Sequence, residues 1–177
     1  PVQIALVSGA GEILQYEVVN PGKPIDPAAT AVHGKTDAEV ASAPDWQEGR
    51  ARFLAAAEGR VLVAYSAPYD VGVLDLDKEN LVIVDAMTAY TTYAAKPKDQ
   101  KLIFAVEQMG LPDVVGAHDA LIDSIATRDL VRAMAAKPPA LGAQEYYAVQ
   151  GKDGIVFQGN MGTLRVPKSV EERIFDR

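Results

Sequence analysis

Arg60-Val61-Leu62-Val63-Ala64-Tyr65 runs directly into Ser66-Ala67-Pro68-Tyr69-Asp70, and this junction decides the fold. The first half is a short, apolar, β-branched run, which predicts a buried strand. The second half starts a helix, with Ser66 placed to cap it and Pro68 in the first turn, where a missing N–H costs nothing. A strand feeding a helix is half of an α/β unit, and the flanking sequence repeats the alternation. Upstream, residues 45–58 predict a helix whose Trp46, Phe53 and Leu54 share one stripe. Downstream, residues 81–84 read as a second buried strand, and residues 101–109 and 119–135 as helices, the last offering Leu121, Ile122, Ile125, Leu130 and Met134 to a core. At the start, two apolar stretches, 2–7 and 12–19, flank Ser8-Gly9-Ala10-Gly11 and predict a β-hairpin. An opening hairpin followed by alternating helices and strands predicts a mixed α/β sheet.

Shorter signals complete the outline. Residues 21–27 read as a loop, and Thr36 with Glu39 three residues on makes a capping box for a short helix. Lys137-Pro138-Pro139-Ala140-Leu141-Gly142 cannot continue the preceding helix, so a main domain of residues 1–137 is expected to end there. Residues 138–177 are expected to form a linker and a small β-rich appendage. Within it, 146–149 and 155–158 flank a turn at 150–154, and 163–166 make a third strand.

The chain has 177 residues, of which 49% are hydrophobic, enough for one well-packed domain. No apolar run approaches the roughly 18–20 residues of a membrane span, and the first residues lack a signal-peptide layout. A cytoplasmic location is the expectation. Zero cysteines exclude disulfides, thiolate metal sites and a cysteine nucleophile. A net charge of −7 argues against broad electrostatic binding of nucleic acid. It leaves open a cleft in which bound cations reverse the local field.

Asp70 stands just past a predicted strand, where ligands of open α/β sheets gather, so its carboxylate suits a metal ligand. Taken alone it equally suits an aspartate stabilising the positive end of a helix. His118 and Asp123 are five apart, too far round a helix to share a face. They can converge if Asp119 is the N-cap, leaving His118 in the lead-in and Asp123 in the first turn. An imidazole on such a loop beside a carboxylate suits a water-activating base.

Tyr69-Asp70, His33-Gly34 and His118…Asp123, in this order and at these separations, resemble the motifs of the DEDDh family of 3′→5′ exonucleases within the RNase H-like superfamily. The likeness covers roughly residues 2–134. It implies an RNase H-like mixed sheet flanked by helices, and metal-dependent hydrolysis of phosphodiester bonds from the 3′ end of a single strand. DNA is expected ahead of RNA, with a role in proofreading or repair and a DNA polymerase as a further partner. The resemblance also implies two Mg²⁺ or Mn²⁺ ions, with Asp70 and Asp123 as carboxylate ligands, His118 as the base, and His33, Tyr69 and Ile25 as contacts to the terminal nucleotide. Asp85 matches a recurrent aspartate of the family that is not taken as a ligand.

Three departures qualify the likeness. Tyr65 and Ser66 stand where relatives carry histidine and asparagine, and only 14 residues separate Asp70 from Asp85, so either the intervening helix is abbreviated or residues are missing there. The family's first motif, an aspartate and a glutamate two apart on a central strand, is absent. The expectation is that residues upstream of Pro1 supply it; the alternative is another segment, with Asp176 of Ile174-Phe175-Asp176 as its echo. Two rival functions stay open: a riboexonuclease, and a noncatalytic nucleic-acid-binding or assembly domain that kept the fold.

Overall fold

The computed structural model describes residues 1–76 and 79–137, together with the strands at 147–151, 154–159 and 162–167. The chain opens with the expected hairpin, β1 (Gln3–Val7) against β2 (Ile13–Val18), antiparallel and with an irregularity at Leu6/Val7. Two short helices follow. The first, α1 (Pro27–His33), was not expected, although its signals are local: Asp26 caps the amide of Ala28, Pro27 opens the helix, and Gly34 ends it at φ 73°. The second, α2 (Asp37–Val40), carries the predicted capping box between Thr36 and Glu39.

Helix α3 (Trp46–Ala57) begins at the cap Asp45 and lays Phe53 and Ala57 into the main core with Ile4, Val19 and Leu62. Phe53, Ile4, Val19 and Leu62 each contribute about 1.5–3 kcal/mol by leaving water. Gly49 lets this helix approach the hairpin closely, because a Cβ there would stand 2.7 Å from Val19 and 3.0 Å from Ile4.

The junction that decides the fold becomes β3 (Val61–Ala64) and α4 (Ala67–Val73), and β4 (Val82–Asp85) returns parallel to β3 with Ala64 opposite Asp85. The crossover is therefore abbreviated to a seven-residue helix. Arg50 secures its exit, donating to the carbonyls of Leu74 and Asp75 at 2.6 and 2.7 Å and pairing with Glu79 at 2.6 Å. After β4, α5 (Ala86–Tyr93), α6 (Leu102–Gln108) and α7 (Ala120–Ala136) build a second cluster around Tyr90, Ala105 and Leu130. Among the described residues, no helix is long and apolar enough to cross a membrane.

One expectation needs correction. The mixed α/β fold is built of small sheets, β1–β2 and β3–β4 being separate two-stranded sheets among the described residues. As a result β3 is not a buried strand, for only Leu62 is covered (7% exposed) while Val61 and Val63 are 47% and 44% exposed. Among the described residues no second strand pairs with β3, so an apolar strand presents both side chains and backbone to an open cleft.

By itself, the last part forms a three-stranded antiparallel sheet of β5 (Tyr147–Gly151), β6 (Gly154–Gly159) and β7 (Gly162–Pro167). The proline-rich boundary at 138–142 and Asp176 lie outside the described residues.

Candidate active site

A cleft of about 1130 Å³ lies between the two sheets, bordered by β1 on one side, β3 on the other and α7 along its length. Asp70, His118 and Asp123 all line it, as do His33 and Tyr69. Ile25 does not. It is half-buried in the loop before α1, where its amide donates to Asp37 Oδ1 at 2.9 Å. Val32, 56% exposed on the last turn of α1, lines the cleft in its place. The sequence reading missed Val32 because it took this segment as a turn, whereas helical spacing sets Val32 beside His33.

Asp70 sits in the first turn of α4, four residues beyond Ser66. Ser66 occupies the cap position, but its hydroxyl makes no capping bond, and its backbone is left-handed at φ 68°, ψ 52°. Burial, followed by the negative charges of Asp85 and Asp123, pushes the Asp70 carboxyl up to about 6. The first cause disfavours the charged form by desolvation, and the other two by like-charge repulsion. Asp123 lines the same cleft and is the last of the three causes acting on Asp70.

Asp119 accepts from the amides of Leu121 and Ile122 at 3.0 and 3.4 Å, and so fixes the start of α7. His118 is thereby left outside the helix, exposed, with φ 73°. Its backbone N–H donates to both carboxylate oxygens of Asp123, at 3.4 and 3.2 Å. The loop bends back so that the main chain, rather than the imidazole, holds the carboxylate, and the ring is free to face the cleft. Burial raises the Asp123 carboxyl, and the His118 N–H partly offsets that effect. A further latch reaches Asp119 from the hairpin: Gln3 Nε2 and Tyr16 Oη donate to its Oδ2 at 3.0 and 2.8 Å. His33 is tied down differently, its Nδ1 accepting the amide of Lys35 at 3.1 Å.

Two oxygen-donor side chains suit a hard divalent cation. They do not complete a two-ion set: among the described residues, no three His, Asp or Glu side chains converge to hold a metal. The unpaired edges of β1 and β3 border the same gap in which further ligands are wanting.

The raised Asp70 value has a measurable consequence. Its folded value lies above the ordinary 3.8, so ionising it costs stability; that cost is absent below about pH 4 and complete above about pH 6. In metal-free protein, Asp70→Asn is expected to add about 1–2 kcal/mol at pH 7.5, allowing for partial solvent exposure, and nothing at pH 3.5. Denaturant melts at the two pH values check this, and equal effects at both would remove the charge explanation.

The sequence profile of the RNase_T exonuclease family matches residues 2–131. The chain belongs to this family, in the DEDDh group of the RNase H-like superfamily. It is 38% identical over 142 residues to a DNA polymerase III subunit epsilon-like protein of Rhodobacter capsulatus, covering 72% of this chain and 20% of that one. It is 30% identical over 153 residues to the uncharacterized exonuclease CP81 of Escherichia phage 186, covering 76% of this chain and 79% of the phage protein. The chain thus spans a fifth of the first relative and most of the second. Among solved structures, exonuclease X in complex with 5′ overhanging duplex DNA superposes with a TM-score of 0.61 at 22% identity, over 80% of this chain and 87% of that one. That likeness shows the fold. The family's chemistry is divalent-metal dependent.

Proposed function

We propose that residues 1–137 form the exonuclease domain of a 3′→5′ exonuclease acting on single-stranded DNA, with 138–177 as linker and β-rich appendage. The observation that carries this reading is that Asp70, Asp123 and His118 all line one cleft between the sheets. In it, Asp70 and Asp123 are carboxylate ligands for Mg²⁺ or Mn²⁺, which supply Lewis acidity when bound. His118, on a loop whose backbone is already bonded to Asp123, accepts a proton from the attacking water at its free ring nitrogen. Tyr69, 70% exposed at the rim, offers a ring for a terminal base to stack on, with Val32 as a second apolar surface. His33 faces the same cleft with its Nδ1 already engaged, leaving Nε2 for a sugar or phosphate oxygen.

The names of the epsilon-like relative and of exonuclease X bound to DNA support DNA over RNA, and the former supports association with a polymerase. One observation favours a second reading: the incomplete ligand set suits a noncatalytic nucleic-acid-binding or assembly domain.

His118→Ala separates the two. For an exonuclease, the variant, placed in a polypeptide extended upstream to carry the family's first motif, is expected to lower single-turnover release of nucleotides from 3′-end-labelled DNA by about 10²–10⁴-fold while leaving strand affinity nearly unchanged. Equal cleavage in variant and parent removes His118 from the chemistry. DNA binding with no cleavage in the parent, at any Mg²⁺ or Mn²⁺ concentration, supports the binding domain.

A further inference from the structure

The tips of β3 and β4 hold a carboxylate that the proposed chemistry does not use. Asp85 lies opposite Ala64 in the parallel register, immediately beside the β3–α4 elbow. Its Oδ1 accepts the amides of Met87 and Thr88 at 2.9 and 3.4 Å, which makes it the cap of α5. The same oxygen also accepts the amide of Ser66 at 3.3 Å, from 19 residues away. A cap needs only the first two bonds. The third reaches the one residue of the elbow with a left-handed backbone, whose own side chain makes no capping bond. A non-glycine residue persists in that conformation only where its surroundings enforce it. Asp70, four residues on, takes its direction from this elbow.

We propose that Asp85 is a positioning residue: by bonding the Ser66 amide and the first amides of α5 at once, it clamps the strained elbow that aims Asp70 into the cleft. The proposal rests on reading Asp70 as a site carboxylate. The clamp acts through the backbone, so asparagine, which keeps the acceptor oxygen, preserves it and alanine does not. Glycine adopts a positive φ without strain, so Ser66→Gly removes the need for the clamp while leaving the α5 cap unrepaired.

The test compares Asp85→Asn, Asp85→Ala and the double variant Ser66→Gly/Asp85→Ala in the full chain. Amide hydrogen exchange at Ser66 and Mn²⁺ titration are measured beside the melting temperature. Asp85→Ala is expected to lose about tenfold in Ser66 protection, and similarly in Mn²⁺ affinity, as for a lost charge-assisted bond. Asp85→Asn should keep the Ser66 protection. The double variant should recover Mn²⁺ affinity to the level of Asp85→Asn, which lacks the same negative charge, although its melting temperature stays low. Unchanged Ser66 protection in Asp85→Ala overturns the clamp, and so does equal loss of Mn²⁺ in the single and double variants, which is what a plain cap predicts. If Asp70→Asn leaves Mn²⁺ binding intact, the metal reading fails separately, and Ser66 exchange alone decides for or against the clamp.

Discussion

Asp70→Asn and Asp123→Asn are each expected to weaken Mn²⁺ binding at least about tenfold and to remove metal-dependent cleavage. The substitution keeps size and shape and deletes one negative charge. At about 4 Å and an effective dielectric constant near 20, a unit charge pair is worth about 4 kcal/mol, well beyond the 1.4 kcal/mol of a tenfold change. Both carboxyls are raised chiefly by burial, so without a cation each is an uncompensated charge. The variants should therefore bind metal less while folding as well or better, a combination that a general loss of structure does not produce. Calorimetric Mn²⁺ titration beside a thermal melt reads both. Normal affinity in both variants would return Asp70 and Asp123 to the role of charges at helix N-termini.

The gap between the sheets leads to the second large effect. Two carboxylates are too few to fix two closely spaced divalent ions, so the polypeptide Pro1–Arg177 alone is expected to release at most trace nucleotide from end-labelled single-stranded DNA with Mg²⁺. The same gap leaves the facing edges of β1 and β3 unpaired and Val61 and Val63 exposed. Unpaired strand edges with apolar side chains invite pairing with other chains. The isolated polypeptide should accordingly self-associate or depend on a partner, as sedimentation would show. A cooperative, monomeric melt together with efficient digestion would mean that the missing ligands lie within these 177 residues, and Asp176 would be the first to replace.

Local chemistry accounts for what the sequence revealed. The capping box at Thr36 and Glu39 and the cap Asp119 of α7 are each written in three or four neighbouring residues, and each is where the spacing predicts it. The same reasoning set His118 outside α7, which is the step that brings it to Asp123. Non-local geometry was not readable. The exposure of β3 depends on which strand lies beside it, and no pattern within Val61–Ala64 encodes a missing neighbour. The left-handed backbones of Ser66 and His118 go with bonds that their own amides donate to Asp85 and Asp123, nineteen and five residues away. Ile25 was read as a cleft contact from its position before the histidine–glycine pair, and the intervening helix α1 shifts that duty to Val32. The signals for α1, Asp26-Pro27 ahead of Gly34, were present and went unread.

The bonds from Gln3 and Tyr16 to Asp119 join residues 116 and 103 positions apart, and Arg132 reaches the carbonyl of Gly9 across 123. Closing loops of that length is entropically slow relative to forming a helix or a hairpin. The hairpin and α7 can each form early, but the cap that sets His118 beside Asp123 gains these partners only when the two dock. The histidine loop is thus expected to be fully secured only once these distant segments of the chain have met.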